Sequence, residues 1–149
     1  MQLNPEYAGK IYPPLPAWRV SAAKVREFAL ATGITQQVCL DEEAARAAGY
    51  PSLLAPPTFL VSLAQEAEAQ YIQDPAAGID FSRVVHGEES FRLERPVCAG
   101  DLLRAELKVE KARNVRGHGM VTTAVTFTDP EGDTVAVVRS SLIVRGEEG

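Results

Sequence analysis

The residue types best suited to moving protons come together at His86-Gly87-Glu88-Glu89. An imidazole and a carboxylate exchange protons near neutral pH, so His86 with Glu88 or Glu89 is a candidate acid/base pair. The same imidazole equally suits a strand position where it hydrogen-bonds to backbone. His118, between Gly117 and Gly119, reads as a solvent-facing turn residue. Cys39 and Cys98 lack CxxC spacing and any Cys/His cluster, so neither a zinc site nor a disulfide framework is expected. No base or cationic neighbour marks Cys39 as a nucleophile, and both thiols read as packed. Arg92 and Arg95 could attract phosphate groups, although arginines beside acids such as Glu94 are commonly solvated. Gly100-Asp101 before an alternating run suits a clean strand start as well as a functional turn.

These groups need a scaffold, and composition bounds it. The 149 residues fit one domain over residues 1–149, large enough to bury roughly two-thirds of the surface of the unfolded chain. A hydrophobic share of 46% with 23% charged residues is ordinary for a globular protein and argues against disorder. The net charge of −5, without a long basic run, excludes the electrostatic footprint of a nucleic-acid binder. The start Met1-Gln2-Leu3-Asn4-Pro5-Glu6 has neither part of a signal peptide, and a cytoplasmic location is expected. The apolar stretch Leu53 to Ala64 is broken by Pro56, Pro57, Thr58 and Ser62 and falls short of the roughly 20 residues of a spanning helix, so no membrane role is expected.

Periodicity supplies the elements. Ile11 to Ala17, rich in proline, is extended and should cross the surface. Ser21 offers an N-cap to a helix with Val25, Phe28, Ala29 and Thr32 on one face, ended by Gly33. Asp41 to Ala48 reads as a short helix closed by Gly49. From Pro57 to about Tyr71, Phe59, Leu60, Leu63, Ala64, Ala67 and Tyr71 share one side, with Gln65, Glu66, Glu68 and Gln70 elsewhere, which predicts a central helix. After Gly78 the period becomes two. Leu103, Ala105, Leu107 and Val109 alternate with charged residues, and Val121, Val125 and Phe127 with Thr122, Ala124 and Thr126. With turns at Asn114–Gly119 and Asp129–Asp133 and a last strand over 134–144, four strands in an antiparallel meander are expected. The fold class is α+β.

The runs Phe28-Ala29-Leu30-Ala31-Thr32-Gly33, Asp41 to Tyr50, Leu54-Ala55-Pro56-Pro57-Thr58-Phe59, His86 to Phe91 and Arg95 to Asp101 together resemble the MaoC-like hydratase/dehydratase family, nearest its N-terminal dehydratase-type domains. The resemblance implies the hotdog fold, a curved antiparallel sheet wrapped around a long central helix. It also implies hydration or dehydration of acyl thioesters carried on coenzyme A or acyl carrier protein, with no cofactor and no metal. In the family an Asp and a following His handle water, and a backbone N–H at the start of the central helix holds the thioester oxygen. The matching positions here hold Ile34, Cys39 and the pair Pro56-Pro57, none of which can do that work.

The resemblance therefore implies a subunit that binds the acyl thioester without catalysing, paired with a catalytic MaoC-like chain. A homodimer using His86 as its catalytic residue, or a pure acyl-coenzyme A-binding hotdog protein, are the alternatives. Gln36 lies in the loop of the lost pair, Pro57 and Thr58 at the start of the central helix, and Ala64 and Ala67 along it, where small side chains would leave room for the acyl chain. Arg95 is the candidate carrier contact. A dimer is expected, because one hotdog sheet leaves a strand edge open.

Overall fold

In a computed structural model, residues 2–146 are described. Five strands form one sheet: β1 (Trp18–Arg19), β2 (Val84–Leu93), β3 (Leu102–Val115), β4 (His118–Thr128) and β5 (Thr134–Val144). Their order is β1-β3-β4-β5-β2, antiparallel throughout. Among the described residues only β3, β4 and β5 form a meander. The expected fourth member, β2, pairs with β5 instead, because residues 94–101 carry the chain across the sheet, and β1 takes the free side of β3.

The alternation in β3 places Leu103, Ala105, Leu107 and Val109 inside, and a bulge between Val109 and Lys111 resets the phase so that Ala112 is inside next. Arg116 and Gly117, at φ 51° and 83°, turn β3 into β4. Both strands therefore run closer to the turn than the sequence indicates. His118 opens β4, exposed, with Nδ1 accepting from the Gly146 N–H at 3.0 Å. At the next turn the Asp129 carboxylate accepts from the N–H groups of Glu131 and Asp133, each at 3.0 Å.

Among the described residues three α-helices precede β2: α1 (Ala22–Ala31), α2 (Glu42–Ala47) and α3 (Val61–Ile72). The Ser21 side chain accepts from the Lys24 N–H, as its type predicts, and Gly33 and Gly49 adopt positive φ beyond α1 and α2. Helix α3 starts four residues after the predicted Pro57, because residues 57–60 are taken up by hydrogen-bonded turns, Phe59 N–H to Pro56 O and Val61 N–H to Thr58 O. Its inward face, Leu63, Ala64, Ala67 and Tyr71, packs in the same core as Leu107, Val121, Val125 and Phe127 of the sheet. Burying side chains such as Leu107 and Phe127 contributes about 1.5–3 kcal/mol each.

The sheet's two edges differ. On the β1 side, the proline-rich N-terminal segment continues the cover of β3: Gly9, Tyr12 and Leu15 donate N–H groups to Val109, Leu107 and Ala105 carbonyls at 2.7–3.0 Å. Tyr12 is buried there, and its hydroxyl donates to Asp74 Oδ2 at 2.9 Å. Lys10, 3.6 Å from the same carboxylate oxygen, joins the Tyr12 hydroxyl in holding Asp74 below the usual carboxylate range. On the other side, β2 ends the sheet with Val85 and Leu93 exposed.

Candidate functional site

Two regions carry the residues singled out by chemistry. The first joins the end of α1 to the start of α3. Ile34 follows the Gly33 turn, half-buried, with its N–H bonded to Ala29 O at 2.8 Å. Gln36 precedes a short 3-10 turn, Gln37–Cys39, and is exposed without a capping bond from its amide. Cys39 is buried, and burial pushes its thiol pKa up, away from the reactive thiolate. Pro57 and Thr58 are exposed ahead of α3, whereas Phe59 turns inward to stack on Trp18 at 5.9 Å and meet Phe28 edge-on at 5.6 Å. Residues 34, 39 and 57 thus present a hydrocarbon, a protonated thiol and a nitrogen without hydrogen. Nothing among them exchanges a proton near neutral pH.

The second region lies between α3 and β2. Strand β2 bulges between His86 and Glu88, at Gly87, which puts both His86 and Glu89 on the concave side and turns Glu88 outward. Without that bulge His86 would share a face with Glu88. His86 Nδ1 is 4.0 Å from Glu89 Oε2, too long for a hydrogen bond. Helix α3 brings a third group, Glu68, which is only 2% exposed. Thr123 Oγ1 donates to one of its oxygens across a long 3.5 Å, and the other has no hydrogen-bond partner among the described residues. Burial, and next the charge of Glu89, raise the Glu68 pKa, while His86 and the Ser140 and Thr123 hydroxyls pull it back.

Polarity alone sets Glu68 off the buried face of the helix, and the spacing shows why that fails. It lies four residues after Ala64 and three before Tyr71, both core residues, so the helix turns it inward. Beside it, Gln65, Ala69, Ile72, Phe81 and His86 line a largely apolar groove of about 390 Å³. Ala64 and Ala67, expected to border a channel, are instead 1% and 0% exposed and face the closed core. The helix positions that border the groove are Gln65, Glu68, Ala69 and Ile72. Arg95 is engaged within the chain: one guanidinium nitrogen donates to Asp101 Oδ2 at 2.9 Å and to Pro96 O at 3.1 Å. Asp101 also accepts from the Cys98 N–H at 2.9 Å, so this carboxylate fixes the turn into β3.

Comparison with known proteins adds the following. Residues 16–138 match the family model described as the FAS1-like dehydratase domain region. A UPF0336 protein of Leifsonia xyli subsp. xyli is 44% identical over 146 residues, which is 98% of each chain. A chain of C-terminally truncated HadBC, a 3R-hydroxyacyl-ACP dehydratase complex from Mycobacterium tuberculosis, matches with a TM-score of 0.82 and 29% identity over 92% of this chain and 96% of that one. A MaoC-like dehydratase matches with a TM-score of 0.85 and 27% identity over 94% of this chain, which spans 42% of that longer one.

Proposed function

The chain belongs to the FAS1-like dehydratase-domain family of MaoC-like hotdog proteins, and on that premise we propose that it is the acyl-thioester-binding subunit of an (R)-specific enoyl-thioester hydratase or 3-hydroxyacyl-thioester dehydratase. A second, catalytic MaoC-like chain supplies the acid/base pair. The observation that carries this reading is that Ile34, Cys39 and Pro57 stand at the positions matched to the family's Asp, His and oxyanion N–H. A reaction that needs a base for water and an N–H for the thioester oxygen has neither at those positions. Losing one oxyanion donor alone costs on the order of 3 kcal/mol in a barrier.

Two further observations support a paired subunit. The edge of β2, which pairs with no further strand among the described residues and has Val85 and Leu93 exposed, offers backbone groups and apolar surface to a second hotdog sheet. The HadBC likeness is to a chain of a dehydratase complex. In this reading residues 1–149 act as one hotdog unit in the cytoplasm, without cofactor, on acyl groups carried by coenzyme A or acyl carrier protein. Gln36, Pro57 and Thr58 lie nearest the thioester, and the acyl chain follows the groove beside α3. Arg95 reaches a carrier phosphate only by leaving Asp101.

A second reading, a homodimeric hydratase, is favoured by one observation, the approach of His86 to Glu89. Mixing the chain with a catalytic MaoC-like homologue separates the two. Light scattering is expected to show a heterodimer whose preferred acyl length differs from that of the homologue alone. No heterodimer, or an unchanged length profile, contradicts the subunit reading.

A further inference from the structure

Building on the acyl-binding reading above, we propose that the groove between α3 and β2 contains a polar subsite, formed by Glu68 and Glu89 beside His86, for an oxygen substituent on the acyl chain. The chemistry selects a hydroxyl over a keto oxygen, and either over a plain methylene.

Buried polar atoms in folded proteins are nearly always hydrogen-bonded, and an orphan is costly enough to need an explanation. Two carboxyl oxygens here are buried orphans among the described residues, one on Glu68 and Glu89 Oε2. They come from different elements, and the charge of Glu89 is the second largest influence on Glu68 after burial. Core packing does not call for either, since a leucine at position 68 would serve an inward helix face. Glu68 nonetheless lines the groove, where its neighbours include Ala69, Ile72 and Phe81, the last 68% exposed. An apolar cleft of this size with a few converging polar groups is the usual form of a small-molecule site.

The pair also dictates which group fits. Burial raises the Glu68 pKa toward the form whose carboxyl can donate, and Glu89 Oε2, without a partner among the described residues, can accept. A hydroxyl is the small group that accepts from one and donates to the other. A keto oxygen satisfies Glu68 alone, and a methylene leaves both orphaned. Glu68 lies about 10 Å along α3 from Val61, so the substituent it meets is remote from the reacting thioester end.

The test is calorimetric titration of the full chain with hexadecanoyl-coenzyme A and with a positional series of the same chain bearing one hydroxyl or one keto group. At one or two mid-chain positions the hydroxyl ligand is expected to bind about tenfold tighter than the plain chain, with the keto ligand between them. Glu68→Leu should abolish the preference and Glu68→Gln keep part of it. The wild-type series decides even if Glu68→Leu does not fold. Binding of the plain chain with no hydroxyl advantage at any position overturns the subsite and leaves the acyl-binding reading standing. No binding of any chain overturns both.

Discussion

The loop region from Gly33 to Thr58 and the groove between α3 and β2 treat polarity in opposite ways. In the first, the side chains at the family's reacting positions are apolar or lack a usable proton, and Phe59 anchors the start of α3 against Trp18 and Phe28. In the second, a carboxyl only 2% exposed sits on the core face of the central helix, with an imidazole and another carboxylate across from it. The contrast fits a protein relieved of bond-making at one end of a channel while still recognising what lies along it.

The largest effect that sharpens this contrast concerns the helix positions. Ala67→Phe forces a ring into a closed core and is expected to cost about 1–3 kcal/mol or more, read as a lower urea midpoint. Gln65→Phe, on the exposed groove side, should stay within about 0.5 kcal/mol of the parent while shortening the preferred acyl chain. Equal destabilisation by both would erase the distinction between core face and groove face.

A smaller effect separates the two regions by pH. The folded-state pKa of Glu68 is raised, so between its unfolded and folded values the unfolded chain has released a proton that the folded chain retains. Stability therefore falls as pH rises through that window, and the loss is complete above the folded pKa. Glu68→Gln should melt a few degrees above the parent at pH 8 and converge with it near pH 4. A constant difference between the two melts would show that Glu68 titrates normally. Smallest of all is His86→Ala, expected to leave the background hydration rate of the isolated chain unchanged. A clear fall in a real rate would transfer catalysis to the groove.

Much of the scaffold was legible from local pattern. Ser21 caps α1, the period-two runs become β3 and β4, and Gly33 and Gly49 end their helices, because each depends on neighbours within a few residues. Less was legible where distant chain segments decide. The pairing of β2 with β5 rather than with its sequence neighbour rests on how residues 94–101 cross the sheet. The bulge at Gly87 selects Glu89 over Glu88 as the partner of His86, and no period marks it. Glu68 was detectable in principle, since helical spacing from Ala64 and Tyr71 turns it inward, but its charge argued for solvent. The engagement of Arg95 by Asp101 depends on the turn at Gly100, at φ 97°, which brings the two together.

In the proposed function, chemistry resides in a partner and not in this chain. The direct measurement is hydration of a long trans-2-enoyl-coenzyme A by three samples: this chain alone, its complex with a catalytic MaoC-like homologue, and the complex in which the homologue's own Asp and His are replaced. With chemistry in the partner, the buffer rate is expected for the first, robust turnover for the second and the buffer rate again for the third. Turnover by the chain alone, or activity surviving in the third sample, would contradict it.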